Sequence, residues 1–329
     1  MKKITVLIPA YNESQNLPYL HAKLDEMTCT AQNVVIEEGD SSMIWTYVPE
    51  DYEWEFLIVN DGSTDGTQQT LQKLHKNDYR VNYLSLTRNF GKENAMLAGM
   101  DYATGDAVII MDADLQDPVD LIPEMIYYWE QGYDDVYGKR GSRGKESWLR
   151  KRMTMSFYRF LQKSSKVEIL PNVGDFRLID RRMINAIKEL RETQRYTKGL
   201  FCWVGYKKKE LIFDRNNREK GKSSFRIGSL MNLAIEGITS FTTAPLRLAT
   251  VLGFVVSLLA LVFMLYIFFK TIIYGDPVQG FPALMCVILF LGGVQLIGMG
   301  IIGEYIGRIF NETKNRPPYI ADSFNDKKI

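Results

Sequence analysis

GDAVIIMDADLQDP, residues 105–118, joins a short apolar run to an acidic cluster. Ala107–Met111 is rich in β-branched residues and is bounded by Gly-Asp and by the acidic cluster, which predicts a strand buried on both faces. Asp112 and Asp114 follow this strand, and in an extended chain the side chains of residues i and i+2 project to one side, about 6–7 Å apart. Gln116 adds a neutral oxygen two residues later. The stretch therefore predicts a central buried strand that ends in a set of oxygen atoms.

This set of oxygen atoms has two interpretations from the residues alone. Two carboxylates on one side repel each other unless a cation lies between them, and carboxylate and amide oxygens suit Mg²⁺ or Mn²⁺ and do not suit zinc. The alternative is an acidic surface turn in which Pro118 begins a helix. The pattern makes Asp112, Asp114 and Gln116 candidate metal ligands and leaves the plain turn open.

Composition restricts the class of protein. The 329 residues have a formal net charge of +1, so no chain-wide positive charge favours nucleic acid as a partner. Cys29, Cys202 and Cys286 are an odd number without C-x-x-C spacing, which argues against a disulfide framework and against a zinc site. His21 and His75 fall on expected surface faces of helices. Metal binding and catalysis are therefore expected to rest on carboxylates.

The first half of the chain alternates predicted strands with predicted helices. The strands are expected near Ile4–Ile8, Glu55–Asn60, Val81–Ser85, Ala107–Met111 and Asp134–Tyr137, and the helices near Gln15–Met27, Gly66–Lys76, Lys92–Tyr102 and Asp120–Gln131. This order predicts an α/β fold, similar to a Rossmann fold, in which helices cover both faces of a mostly parallel sheet. An active crevice is expected at the carboxyl ends of the strands.

Unusual polar residues follow four consecutive predicted strands. They are the groups Pro9–Glu13, Asp61–Gly66, Arg88–Lys92 and Asp112–Asp114. Each group alone is compatible with a turn or a helix cap. Lys92 is harder to explain, because the first turn of a helix disfavours a cation unless an anion is bound there. Together the four groups predict a functional site at one edge of the sheet.

Five motifs in this order resemble those of glycosyltransferase family two. They are IPAYNE (residues 8–13), VNDGSTDGT (59–67), RNFGKENAMLAG (88–99), DADLQDP (112–118) and GDFRLIDRR (174–182). The chain is most similar to the polyprenyl-phosphate hexose synthases of that family, the group of the bactoprenol glucosyltransferases and dolichol-phosphate mannose synthases. The resemblance covers about residues 1–240. Two features depart from the family pattern: Asn60 precedes Asp61 where an Asp-Asp pair is usual, and Thr28–Glu53 is longer and more acidic, with no function assigned to it.

The resemblance implies a GT-A fold, a nucleotide-sugar donor and a divalent cation, Mg²⁺ or Mn²⁺. Asp112 and Asp114 would hold the metal with Gln116 as a third ligand, and Asp114 would be catalytic through it. The residues expected to bind the nucleotide-sugar are Pro9, Ala10, Tyr11, Glu13, Asp61, Lys92, Asp112 and Lys220, the last on a loop that resembles the family's loop over the pyrophosphate.

The resemblance also places Asp175 beside the reacting centre as a candidate general base. A phosphate monoester has a second pKa of about 6, so an acceptor phosphate near pH 7 needs little help to lose its proton. We therefore hypothesise that Asp175 positions the acceptor, through Arg177 or a sugar hydroxyl. The alternative is an Asp175–Arg177 pair that only holds the strand.

The middle of the chain is strongly basic. Residues 139–166 contain ten Lys or Arg against the single acid Glu146, and apolar residues recur at helical spacing, which predicts a basic amphipathic helix over about 147–165. Residues 226–244 predict a second interfacial helix; an ordinary surface helix is the alternative for both. Arg152 and Ser156 share a helical face, and the resemblance makes them and Arg140 candidates to bind the acceptor phosphate, together with Arg177.

The C-terminal part predicts a membrane anchor. Residues 248–269 and 277–303 contain no charge and exceed the length needed to cross the hydrocarbon core. We predict a cytosolic domain over 1–225, transmembrane helices over 245–274 and 281–304, an external loop over 275–280 and a cytoplasmic tail over 305–329, of which residues 315–329 are expected to be disordered. The loop contains no Lys or Arg, whereas Arg226 and Arg247 precede the first uncharged stretch and Arg308 and Arg316 follow the second. This asymmetry predicts a multi-pass plasma-membrane protein with both termini and the catalytic domain in the cytoplasm. Glycines in the second span favour a homo-oligomer.

These features together predict an inverting transferase. A hexose would pass from a nucleotide-sugar, UDP-glucose as first choice, to undecaprenyl phosphate; inversion follows from the resemblance only. GDP-mannose, UDP-GlcNAc or another sugar donor remains open. A processive polysaccharide synthase would need a pore and Gln-x-x-Arg-Trp, where this chain has Gln194-Arg195-Tyr196. The alternative from another class is a non-enzymatic, flippase-associated membrane protein.

Overall fold

The computed structural model describes residues 1–38, 41–141, 173–193, 195–213, 244–274 and 280–329. The described residues divide into two compact units. One contains the described residues up to 213 together with Pro317–Ile329, and the other contains those from 244 to 316. The following lie outside the described residues: the predicted helix over 147–165, all but the last residue of the predicted helix over 226–244, the loop residues 275–279, and the candidates Arg152, Ser156 and Lys220.

The strands of the described chain form one large sheet and one hairpin. In chain order they are β1 (Lys2–Ala10), β2 (Gln32–Glu38), β3 (Ser41–Tyr47), β4 (Tyr52–Asn60), β5 (Val81–Leu86), β6 (Ala107–Ile110), β7 (Asp135–Arg140), β8 (Val173–Asp180), β9 (Lys208–Phe213), β10 (Ala321–Phe324) and β11 (Lys327–Lys328). The sheet has the order β11-β10-β5-β4-β1-β6-β8-β7-β9, and β2 pairs with β3.

The five predicted strands are all present, and they run in one direction. The strands β5, β4, β1 and β6 are parallel neighbours. The strand β8 is antiparallel to both β6 and β7, and it separates them. In β1, Ile4, Val6 and Ile8 join one hydrophobic cluster and Leu7 joins the other. A strand that buries both faces reads as a continuous apolar run, which is why these strands could be predicted.

Helices cover both faces of the sheet. They are α1 (Leu17–Cys29), α2 (Thr67–Asn77), α3 (Lys92–Tyr102), α4 (Ile122–Glu130), α5 (Arg181–Glu189) and α6 (Thr197–Trp203). The helix α3 has the predicted bounds, and its Ala95, Met96 and Ala98 are fully buried beside Leu7 and Leu57. Small and flexible apolar side chains let α3 lie close to the strands. Its first residue, Lys92, is thereby fixed at the carboxyl edge of the sheet.

The acidic segment Thr28–Glu53, to which no function was assigned, contains the β2–β3 hairpin. Ile36 and Tyr47 are fully buried in the core, and the ring of Trp45 lies 5.5 Å from that of Tyr127 on α4. On the outer face Val35 lies opposite Ile44, and both are exposed. The hairpin thus extends the core with one face and leaves an apolar pair on the other.

The predicted disorder of the C-terminal tail is wrong for residues 321–328. The strand β10 pairs antiparallel with β5, and β11 pairs with β10. Tyr319, Ala321 and Phe324 pack against the second hydrophobic cluster. The polar composition concealed this segment, because its stability comes from edge pairing with a strand remote in sequence.

The second unit contains two long helices, α7 (Ala244–Tyr274) and α8 (Phe281–Thr313), which contact each other. Within the described residues, one segment is long and apolar enough to cross a membrane: Phe290–Thr313, 24 residues with a mean hydropathy of 1.3. Phe290 and Leu296 on this segment are exposed, as is Phe254 on α7. An exposed apolar surface of this kind is typical of helices that contact lipid.

Candidate active site

A cleft of about 300 Å³ lies at the carboxyl edge of the sheet. It is lined by residues at or beyond the carboxyl ends of β1, β4, β5 and β6, namely Pro9, Ala10, Tyr11, Glu13, Asp61, Asn89, Gly91, Lys92, Ala95, Asp112, Ala113 and Asp114. The four polar groups of the sequence therefore meet in one place, as the parallel sheet predicts. Asn89, Gly91, Ala95 and Ala113 complete the lining and were not among the predicted site residues.

The loops after β1 and β4 are cross-linked by hydrogen bonds. The Asn12 N–H donates to Ser63 Oγ at 3.0 Å, and the Thr64 N–H donates to Asn12 Oδ1 at 2.8 Å. Asn12 has a φ of 57°, a left-handed conformation that Asn tolerates better than most residues. These bonds fix the two loops that carry Tyr11 and Asp61.

Asp61 fixes the loop that follows β5. Its carboxylate accepts the backbone N–H groups of Phe90 at 2.7 Å and Gly91 at 2.9 Å. Burial raises the pKa of Asp61, although these two N–H groups act in the opposite direction. Next to it, Gly62 has a φ of 63°, and a Cβ there would collide with the backbone of Arg88 and Asn89. Only glycine lets the two loops approach so closely.

Asn60, the departure from the family pattern, ties the turn to α2. Its Nδ2 donates to Gln68 Oε1 at 2.8 Å, and its Oδ1 accepts the Ser63 N–H at 3.1 Å. Gln68 Oε1 also accepts the hydroxyl of Ser85 on β5 at 2.8 Å. An amide supplies both a donor and an acceptor here, which a carboxylate could not do.

Lys92 bridges two carboxylates. Its Nζ lies 2.5 Å from Asp112 Oδ1 and 2.5 Å from Asp175 Oδ2. Burial alone would lower the pKa of Lys92, but Asp175 and Asp112 outweigh burial and raise it. A lysine in the first turn of a helix was expected to need an anion nearby, and these two carboxylates of the chain itself supply the negative charge. The same contact brings Asp175, from β8, to the carboxylates that follow β6.

Asp175 is nearly buried, and two lysines face it. Lys198 Nζ lies 3.9 Å from Asp175 Oδ1, while Lys92 holds the other oxygen. Burial would raise the pKa of Asp175, but the charges of Lys92, Lys198 and Arg177 lower it to about 2. Lys198 was not among the site residues predicted from the sequence. The signal that singled out Lys92, a cation in the first turn of a helix, applies equally to Lys198 in α6.

Arg177 is buried and forms an ion pair with Asp135. Its side chain is 2% exposed, its Nη1 donates to Asp135 Oδ2 at 3.0 Å, and its guanidinium lies 3.8 Å from the Phe201 ring centroid. It shares a strand face with Asp175, but its partner is on the neighbouring strand β7. The structure therefore does not bring Arg177 into the cleft. Arg140 is the last residue of β7.

The metal candidates lie in a turn and not in an extended strand. The strand β6 ends at Ile110, and Leu115 has a φ of 61°. Asp114 Oδ1 accepts the Gln116 N–H at 3.2 Å, and the buried Gln116 Oε1 accepts no hydrogen bond within the described part of the chain. Asp117, which sequence reasoning missed, accepts the Asp112 N–H at 3.0 Å; burial and then Asp112 raise its pKa to about 6.

The chemistry of these donors fits a hard divalent cation. Burial raises the pKa of Glu13, and the neighbouring charges of Asp114 and Asp112 raise it further, so negative charge accumulates in the cleft. Among the described residues, no group of three or more His, Cys, Asp or Glu could hold a metal ion. The predicted set is two carboxylates and one amide, and the unpaired Gln116 oxygen is available as the third ligand.

Comparisons with known proteins find a matching family and relatives that are similar over nearly the whole chain. The family described as Glycosyl transferase family 2 matches residues 5–188, and the GtrB C-terminal hairpin matches residues 244–309. An uncharacterized glycosyltransferase of Synechocystis sp. is 43% identical over 97% of this chain and 94% of its own length. The bactoprenol glucosyl transferase of Shigella phage SfX is 42% identical over 98% of this chain and 99% of its own.

A similarity to solved structures is weaker. The mannosyltransferase PcManGT from Pyrobaculum calidifontis, solved in complex with GDP-Man and Mn²⁺, is 16% identical with a TM-score of 0.41. The match covers 66% of this chain and 58% of that one.

Proposed function

This chain belongs to glycosyl transferase family 2, and we propose that it transfers glucose from a nucleotide-sugar to a polyprenyl phosphate in the membrane. The family predicted from the five motifs is confirmed, and the protein is a glycosyltransferase with an α/β fold of the GT-A type. Relatives named bactoprenol glucosyl transferases match at about 42% identity over nearly the whole chain, including the C-terminal hairpin. This full-length similarity supports glucose and a polyprenyl phosphate acceptor.

The cleft supports the donor assignment. Its 300 Å³ are at the lower end of the range for small-molecule sites. Pro9, Ala10, Tyr11, Glu13 and Asp61 would bind the nucleotide, with Tyr11 half exposed at the surface of the cleft and Asp61 acting through the loop that it holds. We keep UDP as the nucleotide of first choice. GDP-mannose, UDP-GlcNAc and other sugar donors are tested against it below.

A divalent cation fits beside this donor. Asp112, Asp114 and Gln116 would hold Mg²⁺ or Mn²⁺, and the bound ion would supply positive charge beside the leaving nucleoside diphosphate. Lys92 adds a fixed cation next to Asp112. Positive charge beside the leaving group would stabilise the transition state more than the bound substrate, because the nucleoside diphosphate becomes more negative only as the bond to the sugar breaks.

The reaction exchanges one bond at the sugar for another. An oxygen of the polyprenyl phosphate attacks the anomeric carbon, the bond from that carbon to the β-phosphate oxygen breaks, and the nucleoside diphosphate leaves with the electron pair. The products are hexosyl-phosphoryl-polyprenol with inverted configuration and the free nucleotide. Arg140, Arg152 and Ser156 are our candidates to bind the acceptor phosphate. Lys198 is a further one, because it faces Asp175.

Release of nucleoside diphosphate tests the function. The full-length protein in detergent is given UDP-glucose, UDP-GlcNAc and GDP-mannose in turn, with Mn²⁺ and with or without undecaprenyl phosphate. We expect release only with the lipid, and fastest from UDP-glucose. Faster release from another donor would show that the protein transfers the sugar of that donor and not glucose. No release from any donor, with sugar-nucleotide binding intact, would favour the non-enzymatic alternative.

We also propose that α7 and α8 both cross the membrane, with the segment between them outside and the catalytic unit in the cytoplasm. The support is the charge pattern at their ends and the length of the helices. At 1.5 Å per residue, each helix exceeds the roughly 30 Å of hydrocarbon. Two helices of this kind form a hairpin that returns the chain to the side from which it entered.

Cysteine labelling tests this topology. In a cysteine-free background, Gln279→Cys should react with an impermeant thiol reagent in intact cells, whereas Lys314→Cys should react only after the cells are opened. The reason is that the reagent does not cross the bilayer. Labelling of Lys314→Cys alone in intact cells would reverse the orientation, and labelling of both would place the two ends of α8 on the outside.

A further inference from the structure

The C-terminal strand β10 lies directly beside the loop of the cleft. The strand covers β5, and the Thr87 N–H, the first amide after β5, donates to Ile320 O at 3.1 Å. The next four residues, 88–91, form the loop that lines the cleft and whose other end is held by Asp61. The loop is therefore anchored at one end by the β4 turn and at the other by the C-terminal segment.

Side chains reinforce this pairing at both ends of β10. Before it, the Tyr319 hydroxyl donates to Asp101 Oδ2 at 2.7 Å. After it, Asn325 Oδ1 accepts the Tyr83 N–H at 2.9 Å, and Asn325 Nδ2 donates to Asn82 Oδ1 at 2.8 Å. These bonds are directed to the end of α3 and to β5, the two elements that the cleft loop connects. If β10 only covered the exposed edge of β5, the backbone hydrogen bonds between the two strands would be sufficient.

Aromatic packing adds to the attachment. The Phe324 ring stacks on Tyr102, the last residue of α3, with 5.5 Å between centroids. Asn325 has a φ of 49°, in the left-handed region that Asn and Asp adopt more readily than Ala. Its side chain and its backbone conformation thus both favour the observed turn into β11.

We infer that residues 319–325 are a positioning element for the donor-binding loop 88–91, so that docking of β10 sets the affinity for the nucleotide-sugar. The inference rests on the proposed function in that the loop is taken to bind the donor. The physical reason is that a loop fixed at both ends has fewer conformations to lose on binding. Ile320, Tyr319 and Asn325 act through this loop and contact no reacting atom.

The test uses the full-length protein in detergent. The double variant Tyr319→Phe/Asn325→Ala removes the three side-chain bonds, and Ser323→Pro removes one backbone N–H from β10 at a residue that pairs with both β5 and β11. Asp322→Ala is the matched control, since Asp322 lies on the same strand with an exposed side chain. Asn325→Asp keeps the acceptor for Tyr83 N–H and the left-handed preference, and should give an intermediate effect.

Amide hydrogen exchange at Phe90 and Gly91 is the first measurement, because it needs no donor or acceptor. We expect exchange there to rise about tenfold in the double variant and in Ser323→Pro, as expected for the loss of two or more hydrogen bonds. Strand β1 should remain protected, which shows that the fold is intact. The KM for UDP-glucose should rise by a similar factor while kcat changes little, and Asp322→Ala should match the wild type.

Two results would overturn the inference. In the first, residues 320–325 exchange freely in either variant while Phe90 and Gly91 stay protected, which means that the loop is independent of β10. In the second, 320–325 stay protected in both variants, which means that the contacts named above do not hold the strand. If the protein transfers no sugar at all, the proposed function fails, whereas the exchange comparison still decides whether β10 orders the loop.

Discussion

Replacing Asp114 by asparagine should reduce glycosyl transfer by at least about 10²-fold while the protein stays folded. An asparagine can still accept the Gln116 N–H that Asp114 Oδ1 accepts at 3.2 Å, so the turn after β6 keeps its hydrogen bond. What the substitution removes is one of two anionic oxygen donors at a site for a hard cation, which weakens metal binding directly. The leaving nucleotide then loses the charge that stabilises it.

The measurement is nucleotide release as a function of Mn²⁺ concentration, with binding of Mn²⁺ measured separately by calorimetry in the presence of UDP. We expect Asp114→Asn to need much more Mn²⁺ and to remain slow at saturation. Asp120→Asn is the matched control, because Asp120 is an exposed carboxylate six residues along the same segment. Wild-type activity of Asp114→Asn at limiting Mn²⁺ would refute the proposed metal site.

Replacing Asp175 by asparagine should lower kcat by about 10²-fold, and by a similar factor at pH 6 and at pH 8.5. Lys92 and Lys198 outweigh burial and hold the pKa of Asp175 at about 2, so its carboxylate is ionised at both pH values. A base with so low a pKa removes protons poorly, and the acceptor phosphate is already mostly ionised near pH 7. The loss would come from misplacement of Lys92 and of the acceptor, which does not titrate.

The pH profile is measured at saturating lipid. Glu210→Gln serves as the control, because Glu210 also pairs with a lysine, Lys139 at 2.9 Å, but this lysine, unlike Lys92, does not line the cleft. A deficit that is large at pH 6 and mostly recovered at pH 8.5 would show that Asp175 takes the proton. A pH-independent deficit would support positioning. Because Arg177 is bound to Asp135, this positioning would act through Lys92 and Lys198.

The sequence alone was sufficient for the central sheet and for most of the cleft. Strands buried on both faces have continuous apolar runs, so β1, β4, β5 and β6 are visible without knowledge of their partners. Functional residues of parallel strands lie at the carboxyl edge of the sheet. The proximity of Tyr11, Asp61, Lys92 and Asp112 could therefore be predicted from the sequence. Both inferences use information local to each segment.

Only the tertiary structure decided the pairings between segments that are distant in the chain. The insertion of β8 between β6 and β7, which brings Asp175 to Lys92, follows from strand pairing that no local pattern specifies. The same holds for the choice of Asp135 as the partner of Arg177, and for β10, whose short polar sequence becomes ordered because β5 offers an open edge. Local patterns determine which elements form, whereas their partners depend on backbone hydrogen bonds and charges contributed by the rest of the fold.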